Sequence, residues 1–152
     1  DVLMQNTDSS AVLQTAEKMG KRAFGWDSDM TAYGPKAHLG SAVINWGPYY
    51  IKAVGDALDG KWTTGQSWWG VKEGAIDMVS IAADVPEGTK KKVDDVKAGL
   101  KDGSFIIWKG PIMGQDGKEV LAKDAVADDK FLGGINFYVK GVEGKVPGGD
   151  KK

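Results

Sequence analysis

Short apolar runs and amphipathic stretches alternate along this chain, and their periods predict its elements. Residues 2–5 form a short apolar run closed by Asn6-Thr7-Asp8-Ser9-Ser10, residue types that favour turns and helix N-caps. Val12, Leu13, Ala16 and Met19 then fall at helical spacing. Asp8 or Ser9 stands at the N-cap and Gly20 where a helix stops. Residues 22–26 read as a second short strand. Strand, helix and strand in succession make a βαβ unit, whose two strands run parallel. In open parallel sheets ligands bind beyond the carboxyl ends of the strands. The polar clusters at 6–9 and 26–29 therefore meet at one sheet edge.

Further along, Tyr33-Gly34-Pro35 is a loop and residues 39–44 a strand, and Pro48 opens a helix to residue 58. Tyr50, Val54, Ala57 and Leu58 form that helix's apolar face, and Gly60 ends it. Residues 62–69 are turn-rich and residues 74–81 alternate like a strand. A long helix fits 86–101: Val93, Val96 and Leu100 share a face, Lys90 with Asp94 and Lys91 with Asp95 are i,i+4 pairs, and Gly103 caps it. Residues 105–108 read as a strand, Gln115-Asp116-Gly117-Lys118 as a hairpin turn, residues 124–131 as a short helix and 136–142 as a last strand. Residues 144–152 read as a frayed polar tail. No internal repeat is visible.

The chain has 152 residues, 41% hydrophobic and 27% charged, the composition of an ordinary globular domain. A net charge of -1 with interspersed signs argues against a nucleic-acid polymer or an anionic membrane as partner. The absence of cysteine removes disulfides, thiol nucleophiles and thiolate metal sites. No apolar run approaches the roughly 20 residues of a membrane span. Because Asp1-Val2-Leu3-Met4 already reads as a strand, the chain is expected to be a mature or cut one that begins inside a larger fold.

Candidate chemistry is sparse. His38, the single histidine, has no nucleophile or orienting acid beside it in sequence, so a packing or surface role is expected. Ser9 and Ser10 lack a nucleophile elbow and read as caps. Asp27 and Asp29 lack the further oxygen ligands a hard cation needs, so no metal site is expected. Asp29 is read as a brace of the loop. Asp27, at the strand end, is read as a hydrogen-bond partner for a polar ligand. Trp26 and Trp46 sit at element ends and can serve as flat stacking platforms. Trp62, Trp68, Trp69 and Trp108 are expected to fill a core or hinge. The glycine-rich patches match neither G-x-G-x-x-G nor a P-loop, and the lysines at 90–92 form a solvated face.

The succession DVLMQNTDSSAVLQTAE, FGWDSDMTAYGPKAHLGSAVINWGPYY, LDGKW, WWGVKEGAIDM and INFYVKGVEGKVPG resembles the basic membrane lipoprotein family of substrate-binding proteins from ABC importers, in particular its purine and nucleoside binders. The resemblance implies an α/β type I periplasmic-binding-protein fold, two parallel-sheet lobes joined by chain crossings and closing over a ligand. The resemblance further implies that the chain corresponds to the C-terminal half alone, the N-terminal half being a partner that is missing or supplied by another piece of chain. It implies residues 1–40 in the C-terminal lobe, 41–65 as a crossing and helix of the N-terminal lobe, and 66–152 as the return. Site residues implied or supported are Asn6, Asp8, Trp26, Asp27 and Trp46. The resemblance also implies a non-enzymatic, cofactor-free receptor that is periplasmic or lipid-anchored and delivers its ligand to a membrane permease. Nucleoside-binding relatives carry an aromatic where this chain has Met4, and a Lys where it has Ile44, Asn45 and Trp46, so a free base such as adenine is an expected ligand beside a nucleoside. A sugar or polyol binder of the same fold and a small flavodoxin-like enzyme are the alternatives.

Overall fold

The computed structural model describes residues 1–147, arranged as two compact units, Asp1–Phe105 and Ile106 onward. The first unit contains β1 (Val2–Leu3), α1 (Ala11–Lys18), β2 (Arg22–Asp27), β3 (His38–Ile44), α2 (Gly47–Leu58), β4 (Ile76–Val79) and α3 (Glu87–Asp102). Its sheet has the order β1-β2-β3-β4. Strands β1, β2 and β3 are parallel, with Leu3 opposite Ala23 and Asp27 opposite Val43. β4 returns antiparallel, Ile76 opposite Ile44. The predicted βαβ unit is present.

The interior is small and is built where α1 crosses the sheet. Leu13, Ala16, Ala23, Met30 and Ala37 form one buried cluster, so α1 presents its i, i+3 pair to β2, as the helical spacing predicted. Met19, expected on that face, is 66% exposed because the helix has ended at Lys18. Ser9 Oγ accepts from the Ala11 N–H at 3.2 Å, and Gly20 takes a left-handed φ of 62° just past the helix.

Several elements depart from the sequence expectation. β2 runs one residue further, to Asp27. The strand expected over 74–81 is only Ile76–Val79, because Ser80 takes a φ of +52° and turns the chain out of the sheet. The apolar face of α2 is not covered: the helix has no buried residue, and Tyr50, Val54 and Leu58 are exposed. In α3, Lys91 pairs with Asp95 as expected, but Lys90 bonds Glu87 and the Ala83 carbonyl instead of Asp94. Gly103 closes this helix at a φ of 82°. Trp62 and Trp68, expected to be interior, are 54% and 71% exposed.

The second unit contains β5 (Ile112–Met113), β6 (Glu119–Leu121) and α4 (Asp129–Gly133). β5 and β6 form the predicted hairpin, closed by Gly114 N–H to the Lys118 carbonyl at 2.8 Å with Gly117 in the left-handed region. The helix expected over 124–131 starts later, capped by Asp128 Oδ1 accepting from the Phe131 N–H. No strand forms at 105–108 or 136–142: an isolated bridge of Lys109 with Val126 follows the first stretch, and the second holds a single bridge, Val139 with Gly114. Trp108, expected inside, is 43% exposed. Of the expected frayed tail, residues 148–152 lie outside the described residues, while the Gly144 carbonyl accepts from Gln115 Nε2 at 2.9 Å.

One close approach sets how tightly β2 and β3 pack. A Cβ placed on Gly25 would stand 2.2 Å from Ser41 Oγ and 2.9 Å from Met30 Cβ, both on buried residues that cannot move aside. Gly25→Ala is therefore expected to destabilise the unit by about 1–3 kcal/mol through overpacking, seen as a lower urea midpoint at an unchanged slope.

Candidate functional site

Three strands leave the sheet at the same edge because they are parallel. Asn6 and Asp8 follow β1, Asp27 ends β2, and Asn45 and Trp46 follow β3. The topology therefore gathers all five residues expected at a ligand site along one carboxyl edge. Their surroundings differ. Asn6 and Asp8 are exposed, and Trp26 and Asp27 are half-buried at the end of β2. Trp46 lines a cavity of about 370 Å³, together with Ile44, Tyr49, Ser67, Trp69 and Ile76.

That cavity is aromatic by construction. Trp46 stands just before α2, so Tyr49 and Tyr50 follow it by about one helical turn. Trp46 stacks on Tyr50 with ring centroids 5.9 Å apart at 20°. Trp69, from the segment that returns toward β4, meets Tyr49 edge-on at 5.9 Å and 80°. Asn45 holds the corner: its Nδ2 donates to the Gly74 carbonyl and its Oδ1 accepts from the Gly47 N–H, each at 3.2 Å. Its own N–H donates to the Ala75 carbonyl at 2.8 Å. The end of β3, the start of α2 and the turn before β4 are thereby tied to one side chain. Trp46 keeps 54% exposure, an available flat face beside a half-enclosed apolar space.

The loop after β2 is a polar construction. Asp27 has a φ of 69°, and the Ser28 N–H closes back onto the Trp26 carbonyl at 2.8 Å, a three-residue turn across Asp27. Asp29 is the brace that the sequence suggested. Its Oδ1 accepts from the Thr31 N–H at 3.0 Å and from Thr31 Oγ1 at 2.6 Å, and its Oδ2 accepts from Ser80 Oγ. The Ser80 and Thr31 hydrogen bonds hold the Asp29 carboxyl down at about 2.

His38 completes the chain of bonds from that carboxylate to the interior. Thr31 spends its one hydroxyl proton on Asp29, so its oxygen accepts from His38 Nδ1–H at 3.3 Å. His38 Nε2 then accepts from Ser41 Oγ at 2.8 Å, and Ser41 Oγ accepts from the Met30 N–H at 3.1 Å. The network assigns one neutral tautomer to the ring. Burial pushes the His38 pKa below its ordinary value, and the Asp29 charge only partly opposes this. His38, 2% exposed, is thus a packed, fully bonded histidine, as expected.

Tyr49, Ser67 and Trp69 were not foreseen as site residues. Tyr49 could have been found, since it follows Trp46 by three positions in a helix that Pro48 announces. Trp69 comes from a segment without periodicity, and only the fold brings it there. Among the described residues no group of three or more His, Asp or Glu is placed to hold a metal ion.

A mostly parallel α/β sheet with an aromatic cavity at the carboxyl edge of β3 is the architecture of one lobe of a ligand-binding protein. The family model for ABC transporter substrate-binding proteins of the Bmp, PnrA-like type matches residues 1–106, and the chain belongs to that family. It is 42% identical over 97% of its length to a purine-binding protein of Brucella abortus, of which it covers 42%. It is 23% identical over the same share to an ABC transporter protein of Haloferax volcanii named for glucose binding, of which it covers 35%. The chain thus spans less than half the length of these curated relatives. A crystal structure of a transcriptional activator of the comK gene from Bacillus halodurans superposes with a TM-score of 0.63 at 19% identity, over 69% of this chain and 38% of that one, a likeness of fold alone.

Asp29 makes stability depend on pH with a definite sign. Its carboxyl is depressed in the folded state, so its contribution is complete above the ordinary carboxylate value of 3.8 and is lost as pH falls toward about 2. Asp29→Asn should cost about 1 kcal/mol at neutral pH, a value kept low by the solvent exposure of the pair. The difference between the two urea midpoints should close over that acidic interval.

Proposed function

We propose that this chain forms part of the solute-binding component of an ABC importer, which takes a purine base or nucleoside between two lobes outside the cytoplasm and hands it to a membrane permease. The observation that carries this reading is the cavity of Trp46, Tyr49 and Trp69 at the carboxyl edge of the sheet. Stacking on an aromatic face contributes roughly 1–3 kcal/mol per base, and a heteroaromatic ring is the ligand best matched to walls of this kind. The purine-binding relative points to the same ligand class. Asp27, Trp26, Asn6 and Asp8 stand along the same edge and would supply polar contacts as the lobes close, a hinge motion known for such receptors. In this arrangement residues 41–65 form the crossing and helix of the partner lobe, whose remaining sheet would cover the exposed apolar face of α2.

A sugar or polyol is the second reading, favoured by the relative named for glucose binding and by the carboxylates along the edge. Calorimetric titration with adenine, glucose and ribose separates the two: heat with the sugars and none with adenine would sink the purine reading. Trp46→Ala should weaken purine binding about tenfold or more and leave folding intact, since Trp46 is largely exposed. Asp27→Ala should weaken it by at least about tenfold, as a hydrogen bond to a charged group contributes ~1.5–3 kcal/mol. An unchanged affinity in either folded variant would remove that residue from the site.

A further inference from the structure

His38 is the one buried titratable side chain among the described residues, and the aromatic cavity makes no use of it. Its ring lies between the loop after β2 and strand β3, and the hydrogen bonds around it fit only a neutral imidazole. Asp29 takes the Thr31 hydroxyl proton, Thr31 Oγ1 takes the His38 Nδ1 proton at 3.3 Å, and the bare Nε2 takes the Ser41 proton at 2.8 Å. Ser41 Oγ in turn holds the Met30 N–H at 3.1 Å, and this bond ties the loop to β3. The side-chain protons all point one way, from Ser41 outward to Asp29. A second ring proton, on Nε2, opposes that direction. Ser41 would have to accept from the ring as well as from Met30, and its own proton would have no acceptor among the described residues. Ser41 is 0% exposed, so water does not replace the lost acceptor, and an unmet buried donor costs its full desolvation.

We propose that His38 is a proton-operated latch: proton uptake at Nε2 breaks the Met30–Ser41 bond and releases the loop after β2 from β3, loosening the strand end that carries Trp26 and Asp27. The inference rests on this network and holds whichever ligand that edge takes. The surroundings of the ring set the range in which the latch works. Burial, the largest influence, lowers the His38 pKa from its ordinary 6.5, while Asp29 in the loop draws it up and Arg22 of β2 pushes it down. Arg22 is itself bound to Asp84, beyond β4, at 2.6 Å. Glu17 of α1 is occupied with the Lys36 and Ala37 N–H groups. Lys36, Arg22, Asp29 and Thr31 line with His38 a cavity of about 740 Å³, through which a proton reaches the ring. The unfolded chain binds that proton before the folded one does, so the folded state loses stability as pH falls below 6.5. This lies above the interval in which Asp29 titrates.

Nitrogen NMR of the ring, with His38→Gln identifying its signals, and hydrogen exchange at the Met30 amide test this from neutral to mildly acidic pH. At neutral pH Nδ1 should carry the proton and Nε2 none. Below 6.5 Nε2 should gain one, and the protection of the Met30 amide should drop about tenfold or more with the same midpoint. His38→Gln, whose side-chain carbonyl can accept from Ser41 without titrating, should keep that protection. A proton on Nε2 at neutral pH, a ring that stays neutral until the whole fold is lost, Met30 protection indifferent to the ring's titration, or a loss that persists in folded His38→Gln would each overturn the latch. Should the variant fail to fold, the two midpoints in the unaltered chain decide.

Discussion

Ser41 occupies the point where the apolar interior and the polar loop of the first unit meet. Its side chain fills the space opposite Gly25, so β2 and β3 can approach only because one strand lacks a side chain there. Its hydroxyl also takes the Met30 N–H and bonds the His38 ring, and it is fully buried. A buried hydroxyl without partners would cost several kcal/mol in the worst case. With two partners it becomes the inner end of a chain that runs through His38 and Thr31 to the solvent-side carboxylate of Asp29. The loop after β2 is thereby tied to β3 and to Ser80, and the left-handed turn at Asp27 stands at its base.

The apolar surface of the unit is unevenly used. The cluster under α1 is closed, yet α2 buries no residue, and Val2, Leu3 and Met4 are exposed on the edge strand. The hydrophobic stripe of α2 is as regular as that of α1, so periodicity cannot distinguish a covered face from an uncovered one. Coverage depends on which segment of chain lies opposite, and that is a non-local property. The same reason accounts for the missing strands at 105–108 and 136–142. An apolar run becomes a strand only when a neighbour supplies its ladder, and in the second unit the hairpin β5–β6 takes the available pairing.

Legibility of the candidate site follows the same division. The edge at which Asn6, Asp8, Trp26 and Asp27 gather was readable, because the two strands of a βαβ unit end on the same side; that β3 runs parallel to them and carries Trp46 to that edge was not. The role of Asp29 was readable too, since the residue stands two positions before Thr31 and the Asx-type bond is local. Tyr49 was within reach through helical spacing. The contribution of Trp69 was not: the segment bearing it has no period, and its ring reaches Tyr49 only because β4 folds back to pair with β3.

Sequence by itself determined the βαβ unit, the helices at 47–58 and 87–102, the hairpin turn and the edge where ligand chemistry collects. Each depends on spacing within one turn of helix, one strand or one cap. The tertiary structure alone decided the Ser41–His38–Asp29 chain and the aromatic cavity. These join residues that lie far apart along the chain or on different elements, and only the pairing of β3 with β2 and β4 brings them within bonding distance.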